Sequence, residues 1–266
     1  HEPVHRIVAE YCAAKYLSAR LDSSSDLLSL RRCLSIIAPN NVVRDELRGL
    51  VGWLAAVGCK ETQEAIIAID SYAVLANGDP SMLLASSRRK LLCRLRETAN
   101  TDPHFRRGDT WRTFSAAGFF TPEILDEFKH EIVSPNDSVY RDLLLELLES
   151  SGAAGQLADE LRELLLGSSC SLNTRLLAHQ NLLTIDYHDH RADCMGLIDE
   201  GSQASLSIAA KLFLANGVHL IGRDALLSLL ESCSGLYFDW GSEAERFVVG
   251  ERYFINELVQ ILDFEA

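Results

Sequence analysis

The chain has 266 residues, 47% of them apolar, and 25 basic against 38 acidic side chains leave a net charge of −13. That apolar share is enough for the core of two compact domains or one elongated array, which excludes a disordered chain. The acidic balance opposes nonspecific attraction to a phosphate backbone, and the longest apolar run, Leu50 to Cys59, is about half the roughly 18 residues a membrane helix needs.

Apolar residues recur at helical spacing almost throughout, and strand-like alternation is nearly absent. The first element is a helix from His5 to Leu17, where Ala9, Ala13 and Leu17 form a small-residue stripe for close packing, with Tyr11 alongside. Residues 60–69 read as a buried helix, although Ala65-Ile66-Ile67-Ala68-Ile69-Asp70 superficially resembles the hydrophobic run and acid of a magnesium-holding Walker B strand. The phosphate-binding loop that should accompany such a strand is missing, since Gly58-Cys59-Lys60 lacks the partner glycine and the hydroxyl. Asp79-Pro80 and Thr121-Pro122 each put a capping side chain before a proline at the first helical position, and Ser138 and Asn173 read as further N-caps. Stops are expected at Gly58, Gly78, Gly152, Gly167, Gly201 and Gly217, where a left-handed residue without a Cβ ends a helix at little cost.

Between Arg88 and Arg112 eight basic residues face three acids, a local excess of +5. Arg88, Arg89, Arg96, Arg106, Arg107 and Arg112 are the candidate partner-binding residues, able to grip an acidic protein, a phosphate or nucleic acid through bidentate contacts. Phe105 and Trp111 could stack on bases. The competing reading is a solvated face paired within an acidic molecule, as charge runs usually are. The polar stretch Asn100 to Ala117 is the expected break or protruding loop.

From Ser138 onward the helices pair as 138 to 150 with 155 to 166, 173 to 185 with 190 to 199, and 203 to 215 with 220 to 232, followed by a last helix from Ser242. Pairs begin roughly 35 residues apart, in the range of armadillo, HEAT and tetratricopeptide arrays. The tetratricopeptide signature is not visible, so the expected fold is all-α, an α-solenoid of HEAT-like antiparallel helix pairs; a compact helical bundle is the alternative. The aromatic cluster Leu236, Tyr237, Phe238 and Trp240 reads as a core plug.

The densest set of potential metal ligands, Asp186-Tyr187-His188-Asp189-His190 with Asp193 and Cys194, has two histidines that cannot share a helix face and no second cluster, so it reads as a polar connector. The seven cysteines, an odd number without a C-x-x-C pair, read as buried structural thiols of a reducing cytoplasm. No H-E-x-x-H or G-x-S-x-G motif is present, and the chain is expected not to be an enzyme.

The opening helix resembles the segment that follows the nucleotide-binding core in NACHT-type STAND NTPases, of the form H-R-x-x-x-E-[FY]-x-A-A, matched by His5, Arg6, Glu10, Tyr11, Ala13 and Ala14. Leu47-Arg48-Gly49-Leu50-Val51-Gly52-Trp53-Leu54-Ala55-Ala56 and Gly78-Asp79-Pro80-Ser81 are similar to further phrases of large bacterial proteins of this kind. The resemblance spans roughly the first 115 residues; beyond them only the helical-repeat texture agrees. It implies residues 1–58 as the end of a helical domain behind an NTPase core and 59–266 as a HEAT-like region. It further implies a sensor or autoregulatory role in bacterial antiphage defence, through a protein trigger or the chain's own NTPase domain. ATP and magnesium would then belong to the missing core, with no cofactor in this chain, and an oligomer would form in the full-length protein. A chain that opens at His1 instead of Met reads as an excerpt starting just beyond that core. The other readings are a stand-alone solenoid scaffold and a nucleic-acid-binding helical repeat.

Overall fold

A computed structural model describes residues 5–106, 117–134, 138–185 and 189–235. Every regular element among them is helical. The chain divides into two compact units, His1–Glu131 with Ser138–Gly152 and Ile132–Asp137 with Ala153–Ala266. The boundary expected after residue 58 falls inside the first unit, because the helices on either side of it share one core.

The first unit contains α1 (Arg6–Leu21), α2 (Leu30–Ile37), α3 (Arg48–Val57), α4 (Lys60–Ile69), α5 (Ser71–Asn77), α6 (Ala85–Thr101), α7 (Pro122–Ile132) and α8 (Val139–Glu149). Its centre is α3, whose sequence is apolar all round and therefore has to be covered on several sides. It packs against α1, α4 and α5, with Val51, Leu54 and Ala55 buried. Full burial of a leucine such as Leu54 contributes about 2 kcal/mol. The next turns are fixed by side chains: Asp70 caps α5 by accepting from the Ala73 amide at 2.8 Å, and Ser138 caps α8 through the Arg141 amide at 3.0 Å. Further along, the Tyr140 hydroxyl ties α8 to α6 by donating to the Leu92 carbonyl at 3.1 Å, and burial pushes that phenol above its ordinary pKa.

The second unit contains α9 (Ala158–Leu166), α10 (Leu172–Leu183), α11 (His190–Glu200), α12 (Gln203–Asn216), α13 (Val218–Ile221) and α14 (Arg223–Gly235). Here α9 packs on α10 and α11 on α12, and alternate helices also touch: α9 with α11, α10 with α12, α12 with α14. Of the expected pairs, 203 to 215 with 220 to 232 is present as α12 with α14; α9 with α10 and α11 with α12 stand in place of the other two, and α8 belongs to the first unit. A helix in a row has a neighbour on each side, and periodicity alone does not say which one forms the tighter hairpin. Arg175, 1% exposed, ties three helices together by donating to the Leu165 carbonyl at 2.9 Å and to Glu200 at 3.0 and 2.6 Å.

Two punctuation rules needed correction. The cap of α10 is Ser171, which accepts from the Thr174 amide at 3.2 Å, so Asn173 lies inside the helix. Of the expected glycine stops, Gly152, Gly201 and Gly217 have positive φ, but Gly58, Gly78 and Gly167 have φ of −82°, −99° and −70°. Gly78 is required for a steric reason: a Cβ there would lie 2.4 Å from the Gly52 carbonyl oxygen. The thiols also differ from expectation. Cys33, Cys194 and Cys233 are buried, whereas Cys12, Cys59 and Cys93 are exposed, on outer positions where a small side chain costs little.

Candidate functional site

The three phrases that carry the family resemblance come together in the first unit. Arg6 reaches Glu10 at 2.8 Å and the Glu46 carbonyl at 2.9 Å. The Glu10 carboxylate fills the space over Gly49, where a Cβ would sit 2.0 Å from Oε2. Tyr11 meets Trp53 edge to face, with ring centroids 5.2 Å apart. One turn on, the backbones of Gly52 and Gly78 touch: a Cβ on Gly52 would stand 2.6 Å from the Gly78 amide nitrogen. Asp79 then closes the phrase by accepting from the Ser81 amide at 3.0 Å and its hydroxyl at 2.6 Å. Glycines at 49, 52 and 78 are therefore packing devices that let α1, α3 and the end of α5 approach closely.

The packed face of α1 is turned from the expected one. Ala14 and Ser18 are its buried residues, while Ala13 and His5 are exposed. Ser18 explains the rotation, since its hydroxyl donates to the Val57 carbonyl at 3.2 Å and small residues at 14 and 18 admit α3. In the run that resembles a Walker B strand, Ile66 and Ile67 are buried in α4, as expected. Asp70 accepts from Arg48 at 3.1 and 3.3 Å while it caps α5. Arg48 also lies over the Tyr72 ring, 5.5 Å from its centroid. The partnership between Arg48 and Asp70 was not anticipated; the signal for it is an arginine opening an otherwise apolar helix.

The basic window does not form one surface. Arg88 turns inward and donates to the carbonyls of Leu83 at 2.9 Å, Gly118 at 3.0 Å, Phe119 at 3.1 Å and Ser81. Arg106, 6% exposed, grips Glu146 through two bonds of 2.9 and 2.6 Å. Arg89 and Arg96 are more exposed, yet each faces an acid of α7: Glu127 at 3.1 Å and Glu131. These two pairs border a cavity of about 360 Å3 floored by Leu92, Phe128 and Tyr140. Arg107 and Arg112 lie outside the described residues, as do Trp111, residues 236–240 and the helix expected from Ser242.

Residues 186–188 of the histidine-rich connector are likewise outside the described set. Its neighbours pair with Arg162, which meets Asp189 at 3.4 Å and the buried Asp193 at 2.6 Å. Among the described residues no group of three or more His, Cys, Asp or Glu side chains is arranged to hold a metal. Nor is any described helix long and apolar enough to cross a membrane. Comparison of the chain with protein-family models, with curated proteins and with solved structures finds no match.

Proposed function

We infer that this chain is a noncatalytic helical region of a NACHT-type STAND NTPase, acting as a sensor or autoregulatory element that recognises a protein trigger or docks on its own NTPase domain in bacterial antiphage defence. The observation that carries the reading is the joint just described. Segments separated by up to about seventy positions in sequence meet through the residues that define the resemblance: Glu10 over Gly49, Tyr11 against Trp53, Gly52 against Gly78. Chance similarity of three short phrases gives no reason for them to interlock. A HEAT-like array is supported by the alternate-helix packing of the second unit, α9 on α11 and α10 on α12. The outer flank of α1 is in keeping with a partner on that side, because Ile7, Val8 and Tyr16 are 58%, 59% and 63% exposed. Free cysteines and the absence of a phosphate-binding loop from the sequence accord with a cytoplasmic, noncatalytic region of a larger ATPase.

The test is the coding sequence before residue 1. A phosphate-binding loop within a few hundred codons is expected; a start codon immediately upstream would overturn the reading in favour of a stand-alone interaction scaffold. Purified chain is also expected to leave ATP intact. Hydrolysis that disappears in Asp70→Asn, with the helical circular dichroism unchanged, would sink the noncatalytic assignment.

A further inference from the structure

A second cavity, of about 220 Å3, lies wholly within the first unit. One wall is a face of α6 and the residue that follows it, with Arg94, Thr98 and Asp102 at four-residue spacing. Another is made by Arg48, Asp70 and Ser71, and apolar lining comes from Ile67, Tyr72 and Phe105, the two rings meeting edge to face at 5.3 Å. Asn41 completes the lining, from a turn in which Asn40 and Asn41 hold φ of 60° and 61°. Consecutive left-handed non-glycine residues are uncommon, and backbone held in such regions clusters at binding sites.

The polar groups in this lining are unevenly used. Asp70 is committed to Arg48 and to the α5 cap. Arg48, itself only 9% exposed, keeps Nη1 without an acceptor among the described residues. Ser71 is 5% exposed, and its hydroxyl makes no hydrogen bond among the described residues. Asp102 uses one oxygen to accept from the His104 amide at 2.9 Å, which leaves the other. Arg94 is engaged by Glu97 and by the Ala68 carbonyl, which leaves spare donors at Arg48 and Ser71 and a spare acceptor at Asp102. Arg48 and Ser71 offer their donors from a largely buried wall and Asp102 its acceptor from the exposed rim, so a ligand bearing both charges can use all three.

We propose that the cavity binds a free α-amino acid with an apolar side chain, its carboxylate received by Arg48 and Ser71, its ammonium by Asp102, and its side chain by Ile67, Tyr72 and Phe105. Size agrees with this choice: a cavity of about 220 Å3 suits a molecule of about ten heavy atoms. Charge decides against a simple anion, because Asp70 and Glu97 already engage the two arginines and Asp102 adds a negative charge. The proposal stands apart from the NTPase reading, and either can fail alone.

Calorimetric titration of the full chain with L-leucine, L-methionine and L-phenylalanine tests it, with isocaproate and isoamylamine as the leucine analogues lacking the amine and the carboxylate. At least one amino acid should saturate at one per chain, and both analogues should bind at least about tenfold more weakly. Asp102→Asn and Ser71→Ala should each lose about tenfold in affinity. Arg89→Gln, on the same helix but outside the lining, should bind like the parent. Absence of heat and of thermal stabilisation with all three amino acids overturns the proposal. So does isocaproate binding as tightly as leucine, or an Asp102→Asn chain that binds leucine unchanged.

Discussion

Two glycines separate steric need from conformational need. At Gly52 a methyl group would meet main-chain atoms of Asn77 and Gly78 at 2.7 and 2.6 Å, and backbone has no rotamer by which to move aside. Gly52→Ala should therefore cost about 2–3 kcal/mol, the scale of overpacking a tight core, read as a lower urea midpoint. Gly152 has φ of 73° and open space around its Cβ position, so Gly152→Ala should lose only about 1 kcal/mol from backbone strain, and Gly152→Asn less. Equal losses at the two sites would contradict the close approach of α3 to the end of α5. A third residue sets a pH dependence. His179, 4% exposed with Nδ1 lacking a hydrogen-bond partner, is pulled down to about 4 by burial, aided by His190 and Lys211. The unfolded chain takes up this proton near pH 6.5 and the folded chain only near 4, so folding stability falls as pH drops through that window and is untouched above it. By pH 5 the loss should reach about 2 kcal/mol. His179→Gln should flatten the slope of stability between pH 7 and 5; an unchanged slope would mean that other groups set it.

Individual elements were legible to the extent that each is specified locally. Ser138 caps its helix as a hydroxyl before an apolar run does, and Pro80 and Pro122 open helical turns. What could not be read was partnership. The pairing of α9 with α10 depends on which flank each apolar stripe meets, and the inward turn of Arg88 depends on carbonyls about thirty residues away. The same holds for the lining of the smaller cavity: Arg94, Thr98 and Asp102 have a visible four-residue spacing, but Arg48 and Ser71 join them only through the fold. Asp70 is the point at which element and site coincide, because one carboxylate neutralises Arg48 on α3 and starts α5. Asp70→Ala removes a cap and leaves a nearly buried cation, a combination expected to cost about 3–5 kcal/mol. Arg48→Met together with Asp70→Asn, which retains a capping oxygen and leaves no charge behind, should recover most of that loss in thermal melts. A double variant no more stable than Asp70→Ala would show that the ion pair itself, and not the stranded charge, holds the joint.

At the scale of the molecule the question is what a charge of −13 does to the single basic window. Four of its six singled-out arginines are satisfied internally: Arg88 by carbonyls, Arg89 by Glu127, Arg96 by Glu131 and Arg106 by Glu146. A phosphate backbone would have to displace Glu127 and Glu131 from α7 while approaching an acidic surface. Exposed pairs of this kind are worth at most about 1 kcal/mol each, so displacement is not forbidden by the pairs alone; the long-range repulsion of the whole molecule decides. That repulsion is strongest at low salt, where a nucleic-acid-binding protein would bind best. The chain should thus leave duplex and single-stranded oligonucleotides unretarded at both about 0.05 M and about 0.2 M salt. Glu127→Gln with Glu131→Gln, which frees Arg89 and Arg96 and removes two negative charges, should still show no binding at the higher salt. Binding by the unaltered chain that weakens steeply with salt and vanishes on charge reversal at Arg89 and Arg96 would show that the window acts as a surface despite its internal partners, and would move the nucleic-acid reading ahead of the sensor one.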